Sequence, residues 1–204
     1  MAKDAIPYLI PLLILSVLFG VYGSKATAMV FLILSLFIAF FFRDPDRKIP
    51  DDASALVSPA DGKVVEILEL GDGTTRISIF LSVFNVHINR APVDGIIEST
   101  LYTPGKFKPA FVPSASAENE QNVLVIDQGS YKIRVSQIAG VLARRIVCWK
   151  KAGESVQKGE RFGLIKFGSR VDLTFPGNVI PSVKMGDRVR GGSTVIGRAV
   201  NAQG

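Results

Sequence analysis

The feature that most constrains this fold is a pair of apolar segments at the start of the chain. Residues 5–22 and 26–42 carry no charged side chain, and Lys25 with the preceding Gly-Ser pair separates them. A transmembrane helix needs about 20 apolar residues, and each segment is slightly shorter than that. The pattern predicts a helical hairpin over residues 1–42 that anchors the chain in a membrane, either by spanning it or by dipping into one leaflet.

The residues after the hairpin favour an anchor that is retained. A cleavable signal peptide has one apolar core and a small-residue cleavage site, whereas this chain has a second apolar segment and then the charged run 43–48. That run has more basic residues than the hairpin turn, so the positive-inside rule predicts a cell-membrane protein with its C-terminal part in the cytoplasm. The single cysteine, Cys148, allows no internal disulfide and agrees with a reducing compartment.

The chain is basic, with a formal net charge of +6. Beside a bilayer, an excess of positive charge favours anionic lipid headgroups. Nucleic acid is the other usual partner of basic proteins, but the sequence shows no interleaving of aromatic and basic residues that would support it. The expected partner is therefore an anionic phospholipid of the membrane and not nucleic acid.

The rest of the chain has the pattern of a mainly β domain. A polar linker, 43–57, precedes a domain over 58–204 in which short runs of branched residues alternate with turn signals. No segment after residue 43 has a convincing helical period of helical length, which favours an antiparallel barrel or sandwich. The expected strands are 56–57, 63–70, 76–86, 96–102, 122–127, 131–138, 145–149, 162–167 and 170–175.

Two segments near the C-terminus resemble each other, SVQKGER (155–161) and SVKMGDR (182–188). Paired hairpins of this kind are typical of the barrel-sandwich domains of lipoyl and biotinyl carriers, although turn chemistry used twice would look the same. We therefore expect a lipoyl-like barrel-sandwich. Residues 103–121 predict a long loop, either a flap that touches lipid or covers a site, or a solvated insertion.

A Gly-Ser pair, Gly168-Ser169, lies between two of the predicted strands in KFGSRVD (166–172). The serine oxygen could attack the Gly168 carbonyl, convert the amide into an ester, and leave by β-elimination. Ser169 would then become a pyruvoyl group, a ketone that forms Schiff bases with amines and accepts electrons, as pyridoxal phosphate does. Gly-Ser pairs are common, so the surrounding residues must decide whether this one is functional.

Two other candidate site residues are ambiguous by themselves. His87 is the only histidine of the chain and ends a predicted strand. A single histidine in such a place is more often structural than catalytic. Asp61 lies in the sequence Pro-Ala-Asp-Gly, where aspartate is a common turn residue.

Together with the apolar hairpin, these motifs resemble the phosphatidylserine decarboxylase family, and its short, hydrophobically anchored subgroup fits best. The order and spacing of many segments carry the resemblance along nearly the whole chain. The matching segments are FFRDPDR (41–47), SPADGKVV (58–65), FLSVFNVHINRAPVDG (80–95), YTPGKF (102–107), Asn119-Glu120, AGVLARRIVCW (139–149) and GERFGLIKFGSRVDLTFP (159–176).

The resemblance implies a proenzyme that cuts itself between Gly168 and Ser169. Residues 1–168 would form the β chain and residues 169–204 the α chain, and the two would stay together as a heterodimer. Ser169 would become the covalent pyruvoyl cofactor, and no metal is implied. The mature enzyme would convert phosphatidylserine to phosphatidylethanolamine and CO₂ through a Schiff base.

The resemblance also implies roles for individual residues. Asp61 and Ser169 match members of the Asp-His-Ser set that drives maturation in the long-form enzymes, and His87 matches the first histidine of their His-x-x-His. Arg90 stands at the second position, which leaves open which group is the base in self-cleavage. His87 could serve as that base and as the general acid of decarboxylation, with Asp61 fixing its tautomer.

The sequence is compatible with several alternatives. Gly192-Ser193 looks like the long-form cleavage motif, but Gly168-Ser169 has Phe-Pro-Gly (175–177) at the expected distance downstream. Arg144 and Arg145 could bind the phosphate or carboxylate of the substrate, or could be solvated charges. Archaetidylserine, which has the same headgroup on different tails, is an alternative substrate. A membrane-anchored, lipoyl-like adaptor without catalysis is the alternative from another class.

Overall fold

The computed structural model describes residues 1–109, 118–140, 145–166 and 169–200. The chain divides into two compact units, Met1–Asp46 and Arg47–Gly204. The first unit contains the apolar helices and the second contains the strands.

The N-terminal unit is a pair of antiparallel apolar helices. A 3₁₀ turn, Lys3–Ala5, leads into α1, Ile6–Tyr22, and α2 follows as Lys25–Phe41. Ser24 is the N-cap of α2, and its hydroxyl accepts a hydrogen bond from the N–H group of Thr27 at 3.5 Å. The segment Lys3–Tyr22 is long and apolar enough to cross a membrane, while α2 has only 17 residues. The hairpin expected from the sequence is confirmed, and its composition agrees with membrane association.

The second unit is mainly β, as the sequence predicts. Most strands are short, and branched or aromatic residues dominate the longer ones. The strands are β1 Ala55–Val57, β2 Gly62–Glu69, β3 Thr74–Leu81, β4 Ile88–Arg90, β5 Gly95–Thr103, β6 Gln121–Asp127, β7 Lys132–Ala139, β8 Arg145–Cys148, β9 Ser155–Val156, β10 Arg161–Lys166, β11 Ser169–Pro176, β12 Val179–Pro181, β13 Arg188–Val189 and β14 Val195–Ala199.

A curled antiparallel sheet forms the frame of this unit, in the order β13-β2-β3-β11-β7-β6-β5-β9. Two smaller sheets, β1-β14-β12 and β4-β10-β8, accompany it. The central strand β11 pairs along its whole length with β3 and along most of it with β7. Val171, Leu173 and Phe175 alternate along β11 into the apolar core. The strand that begins at Ser169 is therefore held from both sides.

The two similar segments near the C-terminus fold into equivalent turns. In each, an acidic side chain accepts a hydrogen bond from a backbone N–H group at 2.9 Å, Glu160 from Gln157 and Asp187 from Lys184. The glycine before each acid has a positive φ, which a side chain would disfavour. Each turn leads into a strand, β10 or β13, so the repeat consists of the same turn chemistry at two places of the domain.

The largest difference from the predicted strands lies after β3. The pattern predicts a strand to residue 86, but β3 ends at Leu81 because Asn85 turns the chain. The side-chain oxygen of Asn85 accepts hydrogen bonds from the N–H group and the hydroxyl of Ser82, at 2.9 and 2.8 Å. The short strands β4, β9, β12, β13 and β14 were not predicted either, since two to five residues give too little alternation.

The described ends of the long loop at 103–121 are fixed to each other. Lys106 forms a β-bridge with Asn119, and Lys106 and Lys108 both pair with Glu118. Hydrogen bonds from Lys108 and Lys106 lower the pKa of Glu118 to about 2. Phe111, on which the interpretation as a flap partly depends, lies outside the described residues.

Candidate active site

Ser169 is the first residue of β11 and is fully buried. It pairs in register with Leu81 at the end of β3 and with Ala139 at the end of β7. It therefore lies at the edge of the sheet where β11 begins and both neighbouring strands end. Among the described residues, its hydroxyl has no hydrogen-bond partner. Buried polar groups are nearly always paired, and an exception calls for an explanation such as a catalytic role. Gly168, the other half of the expected cleavage site, lies outside the described residues.

His87 is buried and is tied to the strand that precedes Ser169 in the chain. Its carbonyl oxygen accepts a hydrogen bond from the N–H group of Ile165 in β10 at 3.3 Å. Its ring nitrogen Nδ1 lies 3.0 Å from the carbonyl oxygen of Asn85. Because a carbonyl can only accept, Nδ1 carries the proton, and Nε2 of the neutral ring is the basic nitrogen. The carbonyl of Asn85 therefore fixes the tautomer of the His87 ring, a role for which the sequence suggested Asp61.

Asp61 is held by two residues that the sequence analysis did not place in the site. One guanidinium nitrogen of Arg47, Nη2, lies 3.0 Å from both carboxylate oxygens, and the N–H group of Gly191 donates to Oδ1 at 2.8 Å. The side chains of Arg47 and Asp61 are only 8% and 13% exposed. Asp61 thus joins the segment after the helical unit to the turn that contains Gly192-Ser193.

A chain of buried amides crosses the core beside Ser169. Asn122 of β6 donates from Nδ2 to Oε1 of Gln137 in β7 at 3.0 Å, and Gln137 donates from Nε2 to Oδ1 of Asn89 in β4 at 2.8 Å. Gly163 of β10 pairs with Asn89, and a Cβ there would lie 2.9 Å from Nε2 of Gln137. The glycine thus leaves room for the amide that links the large sheet to β4.

Arg170, which follows Ser169, is held by a buried ion-pair network on the other face of the sheet. Its Nε donates to Asp172 at 2.7 Å, and its Nη2 donates to Glu66 of β2 at 2.8 Å and to Ser78 of β3 at 2.5 Å. Burial opposes the ionisation of Glu66, but the guanidinium groups of Arg170 and Arg76 outweigh it and lower its pKa.

Asn119 supports the strand end opposite Ser169. Its amide nitrogen donates to the carbonyl oxygen of Ala139 at 2.7 Å and to that of Lys108 at 2.8 Å, and its oxygen accepts from the N–H group of Lys108. Ala139 is the register partner of Ser169 in β7. Asn119, from the matching Asn119-Glu120 pair, therefore binds the backbone carbonyl of the residue that pairs with Ser169.

A basic cavity of about 710 Å³ opens beside Asp61 and Asn85. Lys63 and Arg188 are register partners on β2 and β13, and Arg190 follows two residues later. Within the described part of the chain, none of these three side chains is paired with a carboxylate, and the Asp61 carboxylate that also lines the cavity is bound by Arg47. Phe84, 69% exposed, lies in its lining as well. A cavity of this charge can bind an anion.

The other candidate residues of the sequence are two arginines and the cysteine. Arg144 lies outside the described residues, and Arg145 is exposed on β8. Cys148 is half-buried, and burial raises the pKa of its thiol, so it is not an activated nucleophile. Within the ranges that the structure describes, no group of three or more His, Cys, Asp or Glu side chains could hold a metal ion.

Sequence reasoning missed Arg47, Asn89, Gln137 and Gly191. Arg47 and Asn89 lie inside two of the matching motifs, FFRDPDR (41–47) and FLSVFNVHINRAPVDG (80–95). Their place in these motifs was the sequence signal that could have identified them. Gln137 and Gly191 carry no local signal, because an isolated glutamine in a strand and a glycine in a turn have many ordinary roles.

Comparisons with known proteins show similarity along most of the chain. The sequence profile of a family described as phosphatidylserine decarboxylase matches residues 34–197. A phosphatidylserine decarboxylase proenzyme of Desulfotalea psychrophila is 42% identical, covering 98% of this chain and 96% of the relative. The proenzyme of Geotalea uraniireducens is 44% identical, covering 96% and 95%. That of Chlorobium chlorochromatii is 47% identical, covering 84% and 82%.

Proposed function

The chain belongs to the phosphatidylserine decarboxylase family, and from this premise we propose that it is a self-cleaving, pyruvoyl-dependent decarboxylase that converts phosphatidylserine to phosphatidylethanolamine and CO₂. The single observation that carries the proposal is the position of Ser169. A serine of the matching motif begins the central strand, is fully buried, and has a hydroxyl without a partner among the described residues.

Maturation is proposed to begin at the Ser169 hydroxyl. Oγ transfers its proton to Nε2 of His87 and bonds to the carbonyl carbon of residue 168, the C–N bond breaks, and the freed amine takes up the proton. A base then removes the α-proton of residue 169, the Cβ–Oγ bond breaks, and the carboxylate of residue 168 leaves. The unsaturated amine that remains takes up water and releases ammonia, which leaves the pyruvoyl group at the head of residues 169–204.

The residues present fit a group of this size. The three carbons of the pyruvoyl group would be those of Ser169, whose register partners Leu81 and Ala139 would hold it. When present, the group supplies a ketone that captures the amine of the serine headgroup and accepts the electrons released with CO₂. His87, which holds a proton at Nδ1 against Asn85, can take up a second one at Nε2 and return it to the substrate α-carbon.

The basic cavity supports a phospholipid substrate. Phosphatidylserine has a phosphate between its serine headgroup and its acyl tails, and the lysine and two arginines of the cavity offer charged donors to such a group. The cavity is lined by Asp61 and by Asn85, which holds His87. The phosphate would thus be bound near the candidate catalytic residues while the tails stay in the bilayer.

The proposed location is the cell membrane, with the β unit on the cytoplasmic side. The apolar segment Lys3–Tyr22 supports membrane association. The basic residues that follow the hairpin support the cytoplasmic orientation, because positive charge is enriched on that side of membrane proteins.

Intact-mass analysis of the purified full-length chain tests the proposal. We expect two fragments, residues 1–168 and an α chain lighter by one ammonia than simple hydrolysis would give. Ser169→Ala should leave the chain uncut and inactive, whereas Ser193→Ala, the matched change in the Gly-Ser pair that looks like the long-form motif, should be processed normally. Uncut wild-type chain that decarboxylates phosphatidylserine would refute the mechanism, and uncut chain without activity would favour the non-catalytic adaptor.

A further inference from the structure

Ser82 and Asn85 close a tight turn directly before His87. The N–H group of Asn85 donates to the carbonyl oxygen of Ser82 at 2.9 Å. The side-chain oxygen of Asn85 accepts hydrogen bonds from the N–H group and the hydroxyl of Ser82, at 2.9 and 2.8 Å. Two of these three bonds end at one atom, Oδ1 of Asn85. The conformation of the turn therefore depends on that side chain.

The backbone of Asn85 holds the His87 ring. Nδ1 of His87 lies 3.0 Å from the carbonyl oxygen of Asn85. The carbonyl oxygen of His87 is fixed to β10 by the N–H group of Ile165 at 3.3 Å, and β4 begins with the next residue. The position of the Asn85 carbonyl is thus set by the turn on one side and by the sheet on the other.

The turn lies at the surface, while the histidine that follows it is buried. Asn85 is half-buried and the neighbouring Phe84 is mostly exposed, whereas His87 is only 2% exposed. Ser82, Phe84 and Asn85 also line the basic cavity. A surface turn of this size packs little apolar area into the core. Loosening it should therefore change the position of the ring far more than the free energy of unfolding.

We propose that the side chain of Asn85 is a positioning residue for proton transfer by His87. This inference rests on the proposed function, in which Nε2 of His87 accepts the proton of the Ser169 hydroxyl. The two neutral forms of an imidazole ring are close in energy, so one hydrogen bond at Nδ1 is enough to keep the proton there and leave Nε2 able to accept. By closing the turn, Oδ1 of Asn85 keeps in place the carbonyl that makes this bond.

Three substitutions separate this role from a general effect on the fold. Asn85→Ala removes Oδ1 and both hydrogen bonds from Ser82, whereas Asn85→Asp keeps an accepting oxygen at the same position. Ser82→Ala removes only the hydroxyl bond and leaves the bond from the N–H group. Asn178→Ala is the matched control, because Asn178 is an exposed asparagine in another turn.

The first measurement is the tautomer of His87, which nitrogen NMR assigns directly because the chain has only this histidine. Full-length Ser169→Ala chain with isotopically labelled histidine is the parent, and each substitution is added to it in detergent micelles. The spectra are recorded at about pH 8, where an ordinary histidine is neutral. We expect the proton on Nδ1 in the parent and with Asn85→Asp or Asn178→Ala. Its share on Nε2 should rise with Ser82→Ala and more with Asn85→Ala.

The second measurement is the rate of self-cleavage in chains that keep Ser169. The uncut fraction is followed on denaturing gels, and the urea midpoint by fluorescence of the only tryptophan, Trp149. We expect Asn85→Ala to cleave about 10- to 100-fold more slowly than wild type, part of the roughly 10²- to 10⁴-fold that a positioned base contributes. Asn85→Asp should recover most of the rate, and Asn178→Ala should match wild type.

A proton on Nε2 in the parent chain would overturn the inference. An Asn85→Ala chain that keeps both the parent tautomer and the wild-type rate would overturn it as well. A loss of cleavage that Asn85→Asp does not restore would make the residue structural only. If Asn85→Ala lowers the urea midpoint sharply, Ser82→Ala decides by the same two readouts. Each of these results leaves the proposed function intact, whereas absence of cleavage in wild type would refute the proposed function itself.

Discussion

Nη2 of Arg170 lies 2.8 Å from Oε2 of Glu66 and joins the strand that begins at Ser169 to β2. The two residues are far apart in the chain, and the proposed cleavage would put them on different polypeptides. Arg170 is only 1% exposed, and its remaining partners are Asp172 and Ser78. The contact therefore fixes the residue next to the proposed pyruvoyl group after the covalent link to residue 168 is gone.

We predict that Glu66→Gln weakens the association of the two chains. The variant leaves the buried Arg170 guanidinium with one carboxylate, Asp172, and the loss of a hydrogen bond between charged groups costs about 1–2 kcal/mol. The urea midpoint of the cleaved enzyme in detergent, followed by Trp149 fluorescence, should fall. Glu69→Gln, an exposed change on the same strand, is the control and should have no effect. Equal midpoints for both variants would mean that the Glu66 contact contributes nothing to association.

The same pair predicts a pH dependence. The pKa of Glu66 is lowered from its ordinary value of 4.5 in the folded state. A carboxyl group of this kind contributes stability that is complete above the unfolded pKa and is lost as the pH falls through the folded pKa. The difference in unfolding free energy between wild type and Glu66→Gln should stay constant above about pH 5.5 and shrink below pH 4.5. Urea titrations from pH 7 to pH 4 measure it, and a difference that grows at low pH would contradict the assignment.

The sequence predicted the apolar hairpin and the longer strands because each has a local signature, an uncharged run in one case and alternation of branched residues in the other. It did not predict the end of β3 at Leu81, since that depends on one side chain, Asn85, turning the chain. The partners of Asp61 could not be read from the sequence either. Arg47 and Gly191 approach it from distant segments, and only the folded register brings them together.

Arg47 yields a further prediction. Arg47→Gln removes the cation that contacts both oxygens of the largely buried Asp61 carboxylate, leaving the Gly191 N–H as its described donor. We expect the free energy of unfolding to fall by about 1–3 kcal/mol, the cost of depriving a buried charged group of its partner. Self-cleavage should also slow if Asp61 takes part in maturation. The readouts are the urea midpoint of the β unit and the uncut fraction over time.

Lys48→Gln is the matched control for Arg47→Gln, because it removes the same charge from the next, exposed residue. It should leave both readouts unchanged. Slower cleavage in Arg47→Gln with an unchanged urea midpoint would mean that the Arg47–Asp61 pair assists the self-cleavage reaction itself. A lower midpoint with normal cleavage would make the Arg47–Asp61 pair structural and would remove Asp61 from the maturation machinery.

The basic cavity leads to a prediction about substrate binding. The double change Arg188→Gln and Arg190→Gln removes two cations from it that pair with no carboxylate among the described residues, while Lys151→Gln with Lys184→Gln removes two exposed cations elsewhere. If the cavity binds the substrate phosphate, the first variant should raise KM for phosphatidylserine in mixed micelles about tenfold, equivalent to about 1.4 kcal/mol of binding. Its kcat should change little, because phosphate contacts are the same in the bound substrate and the transition state.

The control pair should show a KM within about twofold of wild type, a difference too small to reflect a lost phosphate contact. Both double variants should be cut to the same extent as wild type, since all four changed side chains are exposed whereas Ser169 and His87 are buried. Raising the salt concentration should increase KM more steeply for wild type than for the Arg188 and Arg190 variant, because salt screens the charges that the variant lacks. An equal rise of KM in both double variants would show that net charge at the membrane surface, and not the cavity, governs substrate binding.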